Sequence, residues 1–195
     1  FSLRADAADT SVLPVSKRWG YFPAASLGWT VSQEDFMKNS SRWLSHLKLR
    51  GSWGQNGTTS SLGSYSYLSS IGSGLSYPYT NDMTYEIGSM PSSTGNNELK
   101  WETSEQLDLG LDARFFQDRL TFTIDWFNKK TKDLIVSGIT PSTIVGNTAS
   151  PVNAGNIENK GVEIELGWKH ALGDFSYGIR GNLATLKNKV TYIHE

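Results

Sequence analysis

The clearest pattern in this sequence lies in residues 104–128, which read SEQLDLGLDARFFQDRLTFTIDWFN. Apolar and polar residues alternate on both sides of the pair Gln117-Asp118. A period of two is typical of a β-strand with one apolar and one polar face, and a short polar break between two such runs indicates a tight turn. The segment therefore predicts an antiparallel hairpin whose strands are longer than the roughly five to six residues usual in globular proteins.

The same alternation recurs along the rest of the chain. The predicted long strands lie near residues 18–32, 46–54, 99–116, 119–133, 159–170 and 174–193, and residues 1–7 form a short stub. Tight turns alternate with long connections at residues 55–98 and 134–158, so an up-and-down chain gathers its long connections at one end. Residues 33–45 break this rule, and Ser32 and Asp35 there suggest a short helical turn. We predict an all-β antiparallel meander of about six long strands plus a stub.

Composition excludes several classes of function. Eighteen basic and nineteen acidic residues give a net charge of -1 without a basic cluster, so nucleic acid is not an expected partner. Cysteine is absent, which excludes disulfides and thiolate metal sites. No apolar run is long enough for a transmembrane helix. The chain begins FSLRADA, without Met or the pattern of a signal peptide, and we interpret it as an internal part of a larger protein.

Strand length and aromatic placement favour a membrane rather than water beside the apolar faces. Strands that span a bilayer need about nine to eleven residues, which these segments reach. Tryptophan and tyrosine cluster near segment ends, as in the aromatic girdles of transmembrane barrels; the residues are Trp19, Tyr21, Trp29, Trp53, Trp101, Trp126 and Trp168. The expected fold is part of a transmembrane β-barrel. The alternative is a soluble all-β glycan-binding module, whose aromatic residues would stack on sugars and which would stay monomeric without detergent.

Four stretches of the sequence carry a resemblance to a known family. They read RWGYFPAASLGW (18–29), LKLRGSWGQNG (47–57), LKWETSEQLDLGLDARFFQDRLTFTIDWFNKKTKDLI (99–135) and NAGNIENKGVEIELGW (153–168). Together they resemble the C-terminal barrel region of SusC/RagA-like TonB-dependent transporters. The similarity covers most of residues 15–193 and is weakest in residues 8–16 and 57–95.

The resemblance implies a 22-stranded barrel in the outer membrane of a Gram-negative bacterium, closed by an N-terminal plug. It also implies import of glycans or peptides, a SusD-like lipoprotein as a lid, and energy supplied by the TonB complex. We expect the plug and the TonB-contacting segment to lie outside this sequence, since six strands and a stub cannot close such a barrel. Membrane lipid is the expected neighbour of the apolar faces.

Two sets of residues are candidates for function. Polar residues that would face the lumen are Lys48, Arg50, Asp108, Asp112, Arg114, Glu163 and Arg180. Tyrosines of the long connection, which would contact solute or the lid, are Tyr65, Tyr67, Tyr77, Tyr79 and Tyr85. Glu163 and Glu165 share a strand face, but no neighbouring nucleophile suggests acid-base catalysis, and the scattered histidines lack metal-ligand spacing. No enzyme activity, metal or cofactor is expected.

Overall fold

The computed structural model describes residues 1–40, 43–78, 85–137 and 149–193. Nine β-strands account for most of this part of the chain, and they are numbered β1 to β9 in chain order. They are β1 (Ser2–Ala8), β2 (Gly20–Trp29), β3 (Leu44–Thr58), β4 (Ser70–Pro78), β5 (Tyr85–Ser93), β6 (Glu102–Phe115), β7 (Leu120–Val136), β8 (Val152–Leu172) and β9 (Phe175–Ile193). Short 3-10 turns occupy Val15–Lys17, Val31–Gln33 and Asp35–Ser40.

Seven of the strands form one antiparallel sheet in the order β1-β2-β3-β6-β7-β8-β9. The remaining two, β4 and β5, pair only with each other and form a hairpin inserted between β3 and β6. The predicted antiparallel meander is therefore confirmed. β1 and β9 are the edges of the large sheet, and the described residues supply neither edge with an outer partner. An open sheet of this kind is what part of a larger barrel would form.

Tight turns connect β6 to β7 and β8 to β9. In the first turn, Phe116, Gln117 and Asp118 all have positive φ angles, 54°, 57° and 65°. In the second, Gly173 has a φ of 61°, a left-handed conformation that glycine adopts without strain. Both turns lie at one end of the sheet, and the connections that follow β1, β3 and β7 lie at the opposite end, which we call the mouth.

Each strand of the sheet has one apolar face, and the pairing register keeps these faces on the same side. Leu111 of β6 pairs with Ile124 of β7, which pairs with Ile164 of β8, and directly paired side chains point the same way. Much of this surface is uncovered: Leu109 is 51% exposed and Leu183 is 63% exposed. No second layer of this chain covers it within the described residues. Among the described residues, no helix is long and apolar enough to cross a bilayer.

The observed strand boundaries differ from the predicted ones at glycine-rich segments. β3 continues through the GQNG stretch to Thr58, because Gly54 pairs with Ala24 on one side and Gln106 on the other. β8 begins at Val152, so the connection predicted for residues 134–158 is shorter. The connection predicted for residues 55–98 contains the β4–β5 hairpin. Neighbouring strands on both sides stabilise backbone that local composition alone assigns to a loop.

Candidate functional site

Polar side chains of five neighbouring strands form rows across one side of the sheet, which we call the polar face. One row consists of Lys48, Asp112, Thr123, Glu165 and Asn182, and the next consists of Arg50, Gly110, Asp125, Glu163 and Ala184. A third consists of His46, Arg114, Thr121, Gly167 and Arg180. Asp108 pairs with Ser52 on the same face. The structure thus places all seven residues predicted to face the lumen on a single surface.

Arg50 is the centre of the ion pairs on the polar face. Its guanidinium donates to both carboxylate oxygens of Asp112, with Nε–Oδ2 at 2.7 Å and Nη2–Oδ1 at 3.1 Å. The same Nη2 lies 3.0 Å from Oδ1 of Asp125. Thr123 also donates to Asp112, at 3.3 Å. A bidentate arginine with two carboxylates fixes the relative position of three strands, β3, β6 and β7.

Gly110 makes this arrangement possible. Arg50 reaches Asp125 by crossing β6 at Gly110, where there is no side chain in the way. A Cβ at position 110 would lie 2.3 Å from Oδ1 of Asp125 and 2.9 Å from Cζ of Arg50. These distances are far below van der Waals contact, so any larger residue must displace one of the two charged groups. The glycine is therefore required by the ion pairs rather than by a turn.

We predict that Gly110→Val separates Arg50 from Asp125 and lowers the free energy of unfolding by about 0.2–1 kcal/mol, the usual range for a partly exposed ion pair. Gly181→Ala is the control, because a Cβ at position 181 would have no atom within 4 Å. The measurement is the urea midpoint of the intact parent protein in lipid vesicles. Equal midpoints for Gly110→Val and wild type would show that Arg50 does not depend on the glycine.

The other charged residues of the polar face differ in whether they form ion pairs. Arg180 pairs with Glu165, with Nε–Oε1 at 3.2 Å. Lys48, Arg114 and Glu163 make no ion pair with any residue in the described ranges. The surface therefore combines a fixed ionic network with free charges of both signs, which is a suitable lining for a water-filled or plugged lumen.

The mouth contains a small hydrophobic core that the sequence did not predict. Leu13 and Leu99 are both 0% exposed, and they pack with Leu62 and Ile135. We call these four residues the mouth core. Trp101 packs against it and donates from Nε1 to the backbone oxygen of Arg18, at 3.0 Å. The largest fully buried side chains of the described chain thus lie in the mouth rather than in the sheet.

An ion pair on the surface of the mouth adds to these contacts. Lys17 donates to the carboxylate and to the backbone oxygen of Glu98. Lys17 lowers the pKa of Glu98 below the ordinary value, mainly through its hydrogen bond and secondly through its positive charge. Because the pKa is lowered, this contact is fully present at neutral pH and is lost as the pH falls through the pKa of the folded protein.

Two asparagines of the NAGN stretch connect β8 to its neighbours at the mouth. Asp133 interrupts β7 with a φ of 57°, at a bulge in the pairing with β8. Its backbone N–H donates to the side chain of Asn156 at 3.0 Å, and its oxygen accepts from Asn153 at 2.7 Å. Asn153 also exchanges two hydrogen bonds of 3.0 Å with the backbone of Lys100. These side chains satisfy backbone groups that the bulge removes from the sheet.

Four of the five candidate tyrosines lie in described segments of the mouth. Tyr65 is 65% exposed in the connection after β3, whereas Tyr67 packs against the mouth core. Tyr77 and Tyr85 belong to β4 and β5, and Tyr79 lies outside the described residues. Of these tyrosines, Tyr65 and Tyr67 have described side chains, and the two lie in different surroundings. Their role in contacting solute or a lid stays a prediction.

Metal chemistry gains no support from the geometry. Within the described ranges, no group of three or more His, Cys, Asp or Glu residues could hold a metal ion. Glu163 and Glu165 lie in neighbouring rows of the polar face, and Glu165 is paired with Arg180. Both glutamates thus belong to the charged polar face.

Comparison with known proteins identifies the type of barrel. The family model described as "TonB dependent receptor-like, beta-barrel" matches residues 1–194. The TonB-dependent receptor SusC of Bacteroides thetaiotaomicron is 33% identical over 98% of this chain and 19% of its own length. TonB-dependent receptor P3 of Formosa agariphila is 31% identical over 97% of this chain and 18% of its own length. The chain thus spans about a fifth of the curated relatives that it matches.

Solved structures agree with the sequence relatives. The RagAB peptide importer in its closed-closed state matches with a TM-score of 0.81 at 23% identity, over 99% of this chain and 20% of the other. The RagAB peptide transporter matches with a TM-score of 0.78 at 25% identity, over 98% and 20%. The resemblance to the SusC/RagA group is confirmed. The chain belongs to the TonB dependent receptor-like, beta-barrel family and is part of an outer-membrane β-barrel.

Proposed function

We propose that the protein containing this chain imports oligosaccharides or peptides across the outer membrane, powered by the TonB complex. The observation that carries the proposal is the pair of unlike faces on one seven-stranded sheet. The apolar face suits lipid, and the polar face suits a lumen with fixed ion pairs and free charges of both signs. This chain forms part of the barrel wall and part of the mouth of the transporter. The role of the protein is transport rather than catalysis.

The name of one structural relative supports peptides among the proposed solutes. RagAB is described as a peptide importer, and SusC as a TonB-dependent receptor. Mixed charges on the polar face select neither acidic nor basic solutes as a class. The proposed transporter also contains a plug, a TonB-contacting segment and a SusD-like lipoprotein lid. Membership of an outer-membrane family favours this function over the soluble glycan-binding module.

Uptake by living cells tests the proposal. Cells lacking the gene and cells carrying it are supplied with fluorescent oligosaccharides from partial polysaccharide hydrolysis or with a fluorescent tryptic digest of casein. We expect gene-dependent accumulation of one of the two mixtures, abolished by a protonophore that removes the energy used by the TonB complex. Accumulation that is independent of the gene, or that persists with the protonophore, would contradict energy-coupled import.

The β4–β5 hairpin is the part of the mouth best placed to contact a lid. Ile71 and Ile87 are each 76% exposed on it, although exposed isoleucine is unfavourable in water. At its base, the hydroxyl of Ser70 lies 2.7 Å from that of Ser92 and 2.6 Å from that of Ser93. An isolated two-stranded hairpin is only marginally stable in water, so a partner that covers it would stabilise it.

We predict that replacing residues 71–92 with a short Gly-Ser linker weakens capture of the lid protein at least tenfold and leaves the barrel folded. The replacement spares residues 59–69 and 94–101, which approach the mouth core, so the packing there is retained. Heat-resistant migration on a gel reports the barrel, and co-purification of the lid protein reports capture. Unchanged co-purification would exclude the hairpin from lid binding.

A further inference from the structure

The register brings three serines and a carboxylate into one row of the polar face. Ser2 of β1 pairs with Ser26 of β2, which pairs with Ser52 of β3, which pairs with Asp108 of β6. The four residues are far apart in sequence, so the row exists only in the fold. With strands about 4.8 Å apart, the hydroxyl groups follow each other at intervals close to the length of a sugar ring.

This row lies in a cavity of about 490 Å³ on the polar face, and we call the cavity the serine trough. The adjacent row, Arg4, Ala24, Gly54 and Gln106, lines the same cavity on the side toward the mouth, and Asn56 lies beyond it. The trough lies nearer the mouth than the ion pairs of Arg50. A solute that enters from the mouth therefore reaches the trough first.

Hydrogen bonding in the trough leaves capacity for a ligand. Asp108 accepts from Ser52 at 3.2 Å and from Gln106 at 2.8 Å, and it makes no ion pair with the residues that the structure describes. Ser2 and Ser26 are exposed, and their hydroxyls have no partner in the described ranges. A carboxylate held by neutral donors, next to free hydroxyls, can accept from and donate to further neutral groups.

This chemistry matches a polyhydroxylated ligand better than a peptide. Sugar hydroxyls act as both donors and acceptors, as serine hydroxyls do, and a carboxylate accepts strongly from them. Peptide side chains would need apolar pockets. Among the polar-face residues that line the trough, the apolar side chain is the small one of Ala24, and Trp53, which also lines the cavity, belongs to the apolar face by its pairing with Ala25 and Leu107. Arg4 is paired with Asp6 at 2.6 Å, which reduces its attraction for an anionic ligand. Lys129 is the other cation that lines the cavity, and the negative charge of Asp108 opposes it.

We infer that the serine trough binds neutral oligosaccharide during import, with Ser26 and Asp108 as contact residues. The inference rests on the proposed transport function and narrows its solute from glycan or peptide to glycan. Asp108 is held in position by Ser52 and Gln106 and accepts hydrogen bonds from sugar hydroxyls. Ser26 exchanges hydrogen bonds with the next hydroxyls along the same sugar chain.

Retention of solute by the purified full-length protein tests the inference. The protein in detergent is incubated with oligosaccharides from partial polysaccharide hydrolysis or with a tryptic digest of casein, and retained molecules are identified by mass spectrometry. We expect oligosaccharides to be retained. Ser26→Trp fills the trough and Asp108→Asn removes a charged acceptor, so each should lower retention about tenfold or more. Ser176→Trp is the matched control, since Ser176 is exposed near the start of β9, at the end of the sheet opposite the mouth, and does not line the trough.

The outcomes separate the two levels of the proposal. Retention of peptides alone would overturn the glycan assignment while leaving transport intact. Oligosaccharide retention that Ser26→Trp and Asp108→Asn do not reduce would overturn the trough as the site. Retention of neither mixture would contradict the proposed import function itself. A loss with Ser176→Trp as large as with Ser26→Trp would show a general effect of added bulk and would also overturn the site.

Discussion

Ile124→Arg in the intact protein is expected to destabilise the protein folded in a bilayer by about 2–4 kcal/mol, which is the cost of a cation on the lipid side of a barrel near mid-depth. Ile124 lies near the middle of β7, between Leu111 of β6 and Ile164 of β8. All three side chains belong to the apolar face. Leu111 and Ile164, the register neighbours of Ile124, offer a guanidinium no hydrogen-bond acceptor in their side chains.

Thr123→Arg is the matched control, because it places the same side chain one residue earlier on the same strand. Thr123 belongs to the polar face, where it pairs with Asp112 and Glu165 and donates to Asp112 at 3.3 Å. Two neighbouring carboxylates should make an arginine there cost little. Folding of both variants into lipid vesicles, followed in urea, gives the comparison. Equal penalties, or a larger one for Thr123→Arg, would reverse the assignment of the two faces.

The sequence predicted the large sheet well, because alternation is a local property of each strand. In β6 and β7, Leu109 and Ile124 mark one face, while Asp112 and Thr123 mark the other, and the pairing register agrees. The turn at Gln117-Asp118 was also visible as a polar break. By contrast, the strand SIGSGLSYP mixes serine and glycine without clear alternation, so its pattern does not predict β4.

The arrangement of side chains on the polar face could not be predicted from the sequence, because it depends on residues that only the register brings together. Arg50 and Asp125 belong to strands separated by β6, and nothing in the sequence marks Gly110 as the gap between them. The row from Ser2 to Asp108 likewise joins four strands. The NAGN stretch was recognised as part of a resemblance, but its role in holding the bulge at Asp133 follows from the hydrogen bonds alone.

Leu99→Ala is expected to destabilise the mouth by about 2–5 kcal/mol, the usual cost of truncating a fully buried leucine. Leu99 is 0% exposed and packs in the mouth core with Leu13, Leu62 and Ile135. These residues come from the connections after β1 and β3 and from the end of β7, so one cavity weakens all three. The strands themselves keep their hydrogen bonds. The loss should therefore be local rather than global.

Hydrogen exchange of the intact protein distinguishes local from global loss. In Leu99→Ala, the backbone amides of residues 11–18 and 59–68 should exchange at least tenfold faster, while those of β6 to β8 keep the wild-type rate. Leu68→Ala is the control, because Leu68 lies in the connection after β3, as Leu62 of the mouth core does, but is 47% exposed and should change little. Faster exchange throughout the sheet would show that the mouth core supports the whole barrel. Unchanged exchange at the mouth would show that the two connections and the end of β7 hold together without the mouth core.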